Sequence, residues 1–452
     1  MSRTPRPTGP LPRRRVCLTN IGQLLTCAGP ERGPLSTLQA LGVVSDAELV
    51  VCLGLEGGWQ VVWLGQRGAP GRPTADATFD LGGRTLMPGI VDCHTHLVFA
   101  GDRSHEFVQR LSGVSYHEIA RQGGGIAHTV AQTRSATVPE LVEAATVRLR
   151  SLCDQGARVV EIKTGYGLDL QSELKILDAV AALRARFAGN VELIATAMPA
   201  HAVPPECKAD PEGYVDRVCG QLLPAMAAHA HPPAFVDVFV ESGYFSVDHA
   251  KRIAQKAREL GLGLKAHVDE FADIGGLPWA IGAGATSVEH LLQTSAEGIA
   301  ALAASDTVAV GLPLTSVFLR APLAPLRALV DAGARVALAT DCNPGSSMTT
   351  SLTLLLQLAV LLGHLSPAEA LRGVTRCAAL AIGQPEGYTG RISVGEPFLG
   401  TVLDMPSVDA MFYHLGQPIR AWDGYCAPAS DSARLRDDPV ARLDENRSTS
   451  WI

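Results

Sequence analysis

The sequence is short of several things, and each shortage closes off a class of function. No stretch approaches the roughly 18 uninterrupted apolar residues of a membrane-spanning helix. The basic start MSRTPRPTGPLPRRR is followed by no apolar signal core. Lysine and arginine number 38 against 45 aspartates and glutamates, a formal net charge of -7. A protein that grips nucleic acid through its phosphates needs the opposite balance. The ten cysteines form no CxxC pair. Reduced thiols in the cytoplasm are therefore expected rather than a disulfide framework. No GxGxxG follows an early strand, and no P-loop lysine accompanies the glycines at 123–125. The usual signatures of dinucleotide and nucleotide binding are thus missing.

What is present is a core-building composition. Of 452 residues, 47% are apolar and 18% charged, enough for one large domain with an accessory. Residues 1–15 are rich in proline and arginine and read as a flexible N-terminal segment. From Val16 to about Met87, short apolar runs (VCLTNI, ELVVCLG, WQVVWLG) are broken by glycine and proline, the pattern of small strands joined by turns. From Gly89 onward, strand-length apolar segments alternate with helical stretches. The expected strands are 90–96, 158–163, 191–197, 235–240, 263–267, 286–290, 307–311 and 335–341. Helices are expected at 139–155, 170–186, 246–260 and 321–331 among others. Eight β/α units in about 300 residues predict an α/β fold, a (β/α)8 TIM-like barrel over 89–390. After Gly390 short strands return (RISVGEP, GTVLDMP). A small composite β-sandwich domain is therefore expected from 16–88 and 391–452, built by both chain ends.

The residues with chemistry sit at the ends of these strands. In MPGIVDCHTH, His94 and His96 stand two apart, so strand periodicity puts both imidazoles on one face. His267 closes LGLKAH, His290 closes ATSVEH and Asp341 closes VALATD. Side chains at the C-terminal ends of different barrel strands converge on its catalytic face. Imidazoles with a carboxylate suit zinc or iron, with one position left for water. His94, His96, His267 and Asp341 are assigned to the metal. His290 stays open between a further imidazole ligand and a proton handler. Glu270, three residues after His267, is a candidate general base and acid, with Asp269 as its rival. Lys163 ends VVEIK, where a carbamylated lysine bridging two metals competes with an ordinary charged residue fixed by a neighbour.

Longer segments add to these positions. PGIVDCHTHLVFAGDRSHEF, GGGIAHTVAQTR, VEIKTGYGLD, AHAVPPE, KAHVDEF, VEHL and ATDCNPGSS, spread from about Met87 to Gly390, resemble the imidazolonepropionase family of the metal-dependent amidohydrolases. HxH marks the superfamily alone, whereas DRxxEF, GGGI and DCNPG point to this one family. The resemblance implies a distorted (β/α)8 barrel of the amidohydrolase type with a small β domain, as a cytosolic homodimer with one Zn2+ or Fe3+ per subunit. It implies hydrolysis of the ring amide of 4-imidazolone-5-propanoate, a small anionic heterocycle, to N-formimidoyl-L-glutamate in histidine degradation. Carried onto this sequence, the motifs give His94, His96, His267 and Asp341 as ligands and Glu270 as a catalytic or substrate-contacting carboxylate. They put Arg103, Tyr166, His201, Asn343, Gly345 and Ser346 on substrate-binding positions, Ser346 standing where threonine is frequent. A mononuclear site leaves Lys163 with no bridging role. GEPFLGTVLD and the length beyond Gly424 depart from the family pattern.

The expected reaction is attack of an ionised water on the ring carbonyl. His290 helps to stabilise the oxygen's charge, and Glu270 or Asp341 moves the proton to the leaving ring nitrogen. Arg103 holds the propanoate as a planar fork. The ligand set by itself also permits a related amidohydrolase or aminohydrolase acting on another cyclic amide or a nucleobase-like ring.

Overall fold

The computed structural model describes residues 14–54, 58–114, 118 and 124–422. The expectations for the first thirteen residues, for Gly123 and for the tail beyond 422 lie outside the described residues. Among those described, the strands divide into two sheets. The first contains β1 (Arg15–Leu25), β2 (Val43–Leu53), β3 (Trp59–Gln66), β4 (Ala77–Asp80), β5 (Thr85–Pro88) and, from the far end of the chain, β14 (Gly400–Leu403). The strands join by hydrogen bonds in one six-stranded sheet of order β14-β5-β1-β2-β3, with β4 also on β1. The long strand β1 links its parts: its residues 16–19 pair with β4 and its residues 23–24 with β5. Residues of all six strands, among them Leu24, Leu49, Val61, Phe79, Leu86 and Val402, share one apolar cluster.

The second sheet is the barrel. Its strands are β6 (Ile90–Asp92), β7 (Ala157–Lys163), β8 (Glu192–Ala200), β9 (Phe235–Val240), β10 (Gly263–Val268), β11 (Ser287–His290), β12 (Val308–Gly311) and β13 (Val336–Leu338). Each pairs in parallel with its neighbours in chain order. Helices pack outside, including Val138–Asp154, Leu170–Arg186 and Val247–Glu259. Thr137 and Ser246 cap the first and third of these, and Asp169 the second, by accepting from the backbone of the opening turn. The helix expected at 321–331 begins only at Leu326, and a separate helix covers Pro313–Leu319. Pro322 and Pro325 explain the delay, since proline lacks an N–H and bars its predecessor from helical angles.

The barrel closes between its first and last strands by few but specific bonds. Asp92 accepts from Thr340 N at 3.1 Å and from Thr340 Oγ1 at 2.6 Å. Thr95 bridges Cys342, His96 N donates to Cys342 O and Asp341 N donates to His94 O, the last two both at 3.0 Å. The proposed ligands therefore straddle the seam.

Strand alternation sorts the interior into levels. Outward residues such as Val160, Val238 and Ala266 pack under the helices. Inward residues at the strand beginnings (Val159, Ile194, Phe235, Val308, Ala337) form an apolar floor with the helix Arg376–Ala381. One step higher the inward side chains are Glu161, Asp237, Lys265 and Glu289, all fully buried. At the mouth they are His267 and Asp341. An ionic level thus lies between an apolar floor and the imidazoles.

Candidate metal centre

The backbone at the mouth leaves regular structure where the candidate ligands stand. The ladder of β6 stops at Asp92, short of the expected 96, and His94 to His96 run on along the seam. β13 stops at Leu338, and three residues on Asp341 adopts φ 50°. His290 ends β11 at φ 76° and Asp269 follows β10 at φ 55°. A non-glycine residue in this left-handed region costs of order 1–3 kcal/mol and persists where surrounding contacts over-determine it, commonly at functional sites.

The side chains converge. One ligand atom from each of His94, His96 and Asp341 lies within 4.8 Å of the others, and the same holds for His94, His267 and His290. Asp341 Oδ1 is 3.4 Å from His94 Nε2 and 3.7 Å from His96 Nε2. Its other oxygen accepts from Thr315 Oγ1 at 2.7 Å, which turns Oδ1 towards the imidazoles. Both nitrogens of His94, Nε2 of His267 and Nδ1 of His290 are buried and lack any hydrogen-bond partner. Such orphaned atoms are rare in folded proteins. Clustered beside a carboxylate oxygen, they are the donor set that Zn2+ or Fe3+ takes. Burial above all holds His94, His96 and His290 well below the usual imidazole range. Neutral imidazoles are what a metal requires. Burial likewise raises Asp341 to about 6.

Behind His267 stands a support that sequence reasoning missed. Its Nδ1 lies 3.0 Å from Asp237 Oδ1. Asp237 Oδ2 accepts from Lys163 Nζ at 2.7 Å, and Lys163 Nζ also donates to Glu161 Oε1 at 3.0 Å. Burial acts to lower the pKa of Lys163, but Asp237, Glu161 and Glu289 outweigh it and hold the ammonium above its ordinary value. Lys163 is thus ion-paired with Asp237 and Glu161 behind the candidate ligands. The signal was a charge within each apolar strand, in VVEIK, FVDVFV, GLKAHV and SVEH, at inward-facing positions.

The two rival carboxylates have different partners. Asp269 accepts from Thr294 Oγ1 at 2.8 Å. Glu270 Oε2 lies 3.6 Å from His290 Nε2. Burial, with Asp341 and Glu241 adding to it, holds Glu270 well above the usual carboxyl range.

The expected substrate residues form a rim. His201 stacks on His96 with centroids 4.8 Å apart, and Tyr166 lies 5.8 Å from His96. Glu173, another residue not anticipated, accepts from the backbone of Gly165, Gly167 and Leu168 and so holds the Tyr166 loop. Arg103 is buried, with Nε 2.9 Å from Glu106 Oε2. Its guanidinium packs so closely on Gly345 that a Cβ there would collide with it. Asn343 Oδ1 accepts from Gly345 N and Ser346 N, both at 2.8 Å, and Asn343 Nδ2 donates to Ser346 Oγ at 2.9 Å. Asn343 and Ser346 thus shape the loop on which Arg103 rests.

Relatives bear on this arrangement. Residues 241–420 match the model of the Amidohydrolase family. The imidazolonepropionase of Chloroflexus aggregans is 44% identical over 412 residues, 87% of this chain and 93% of its own length. That of Deinococcus radiodurans is 43% identical over 399 residues, 88% of this chain and 95% of its own length. The chain belongs to the imidazolonepropionase family. Among solved structures, a triazine hydrolase variant superposes with a TM-score of 0.70 at 17% identity, covering 96% of this chain and 100% of that one. A 5-methylcytosine deaminase from Klebsiella pneumoniae gives 0.63 at 17% identity, covering 90% of this chain and 95% of its own. At such identity the likeness is one of fold, the amidohydrolase-type barrel with an additional β-sheet domain. In this imidazolonepropionase-family chain, the candidate ligands come from both sides of the barrel seam and from β10.

Proposed function

We propose that the chain hydrolyses the ring amide of 4-imidazolone-5-propanoate to N-formimidoyl-L-glutamate, in histidine degradation. His94, His96, His267 and Asp341 hold one Zn2+ or Fe3+ per subunit. The observation that carries this reading is the convergence of partnerless, buried imidazole nitrogens on Asp341 in a chain of this family. Bound there, the cation supplies Lewis acidity and lowers the pKa of a water from about 15.7 towards 7.

The chain's own groups do the rest. Thr315 fixes the orientation of Asp341 through its outer oxygen. Glu270 takes the proton of the attacking water and passes it to the leaving ring nitrogen, a task that suits a buried carboxyl of raised pKa. His290, beside Glu270, stabilises the charge that develops on the ring oxygen. His201 and Tyr166 wall the ring. Arg103, with the loop of Asn343, Gly345 and Ser346 beneath it, reads the propanoate as a planar fork.

We also propose a cytoplasmic homodimer. The nine described cysteines are unpaired, which supports a reducing compartment, and the dimer follows the family resemblance. Among the described residues, no helix is long and apolar enough to cross a membrane.

The test is incubation with freshly prepared imidazolone propanoate. Loss of its ultraviolet absorbance with appearance of formimidoylglutamate is expected. Ammonia release from a nucleobase, with no turnover of the imidazolone, would overturn the choice of substrate.

A further inference from the structure

Lys163 touches both halves of the proposed ligand set. Its main-chain N–H donates to Thr95 O at 2.9 Å, on the residue between His94 and His96. Its ammonium donates to Asp237 at 2.7 Å, and Asp237 in turn meets Nδ1 of His267 at 3.0 Å. Lys163 is fully buried and its second partner, Glu161, accepts from it at 3.0 Å. Glu161 is itself tied to the same segment, because its carbonyl accepts from Thr95 Oγ1 at 2.6 Å.

An imidazole with one N–H has two tautomers, and the group facing one nitrogen selects which nitrogen keeps the proton. A carboxylate at Nδ1 places the proton there and leaves Nε2 with its lone pair. Nε2 of His267 is the nitrogen without a partner. Asp237 makes this selection only while its carboxylate keeps one rotamer, with one oxygen on His267. Among the described residues, the contact that occupies its other oxygen is the Lys163 ammonium.

We propose that Lys163 is a positioning residue for the metal: it locks Asp237, which fixes the tautomer and orientation of His267. This rests on the reading of His267 as a ligand. It goes beyond that reading in assigning a role to a lysine that touches neither metal nor substrate.

A comparison inside the same ionic level provides the control. Lys265 is equally buried and lies 3.2 Å from Glu161 and 3.6 Å from Glu289. Its remaining bonds go to the carbonyls of Cys93 and Ala381, both at 3.2 Å. If Lys163 only balanced buried charge, replacing either lysine would weaken the metal equally.

The experiment measures the Zn2+ dissociation constant of the full chain by chelator competition. Lys163→Met is expected to weaken Zn2+ about ten- to a hundredfold, the usual range for loss of a group that orients a ligand. Lys265→Met is expected to weaken it by at most a few-fold. Should Lys163→Met fail to fold, the pair Lys163→Met with Glu161→Gln removes one anion together with the cation, and the same weakening is expected. Histidine 15N spectra of the metal-free protein give a second readout. Wild type should show His267 as the Nδ1–H tautomer, and the folded Lys163 variant a tautomer mixture. A Zn2+ affinity within twofold of wild type, an equal loss in Lys265→Met, or an unchanged tautomer would each overturn the proposal. His267→Ala run alongside tests the ligand itself. Unchanged affinity there overturns the metal assignment, whereas strong loss there with none in Lys163→Met overturns only the role of Lys163.

Discussion

The imidazole cluster and the Arg103 rim share one end of the barrel, yet they are held by different means. The cluster is fixed from below by strand ladders, by the seam bonds of Asp92 and Thr340, and by buried ion pairs. The rim is fixed by turns and loops: Asn343 folds its own loop, Glu173 holds the Tyr166 loop, and Arg103 lies between Glu106 and Gly345. Ladders and buried charge resist small changes, since a buried ion that loses its partner is costly. Loops accept substitution more readily and usually carry specificity. The cluster should therefore govern whether turnover happens, and the rim which ring is chosen.

The strongest test of that division is Asp341→Asn. The amide ligates poorly and accepts no proton, so turnover should fall about a thousandfold or more while circular dichroism remains that of the folded chain. Near-wild-type turnover at full metal occupancy would break the comparison at its base. Glu270→Gln should come next. Its carboxyl meets His290 but belongs to none of the three candidate ligand groups among the described residues. Metal content should stay stoichiometric while kcat drops about a hundred- to a thousandfold. If elemental analysis finds the metal lost, Glu270 is a ligand.

A third variant moves to the rim. Arg103→Ala should lower kcat/KM about ten- to a hundredfold, in keeping with roughly 1.5–3 kcal/mol for a charge-assisted bond. Arg103→Lys should recover little, because an ammonium lacks the planar fork. The pairing with Glu106 supplies the competing account, a purely structural arginine. An analogue with an amide in place of the propanoate carboxylate separates the two. Wild type should prefer the acid, and Arg103→Ala should lose that preference. A retained preference would hand recognition of the carboxylate to Tyr166, His201 or the Asn343 loop.

The same division explains what could be read from the sequence. β9 was legible to the residue, and β7 and β10 to within one at either end, because apolar runs bounded by glycine or charge fix a buried parallel strand. The candidate ligands could be picked out because each closes such a run, and the structure brings them together. The ends of β6 and β13 were misjudged, since the sequence does not announce that Asp341 leaves the strand at positive φ or that His94 crosses a seam. Asp237, Glu289 and Lys265 went unread for another reason. A single charge in an apolar strand looks like an isolated exception until several strands are set side by side, when they form one ionic level. Thr315 left no signal at all, because a threonine in a short helix has many uses.

That residue gives the smallest and sharpest test. Thr315 is buried on the helix Pro313–Leu319, and its hydroxyl donates to Asp341 Oδ2 at 2.7 Å. Thr315→Val keeps the shape and removes only the donor. The lost bond runs to a carboxylate, for which about 1.5 kcal/mol is the lower end of the usual range. That end applies because Asp341 Oδ1 still faces two imidazoles in the variant. The consequence is about a tenfold weaker Zn2+ affinity, with KM nearly unchanged once metal saturates the enzyme. Chelator competition reads the first quantity and steady-state kinetics the second. A raised KM with unaltered metal affinity would place Thr315 with the rim instead. The boundary between the rigid cluster and the selective loops would then run through Asp341 itself, one of its oxygens serving each side.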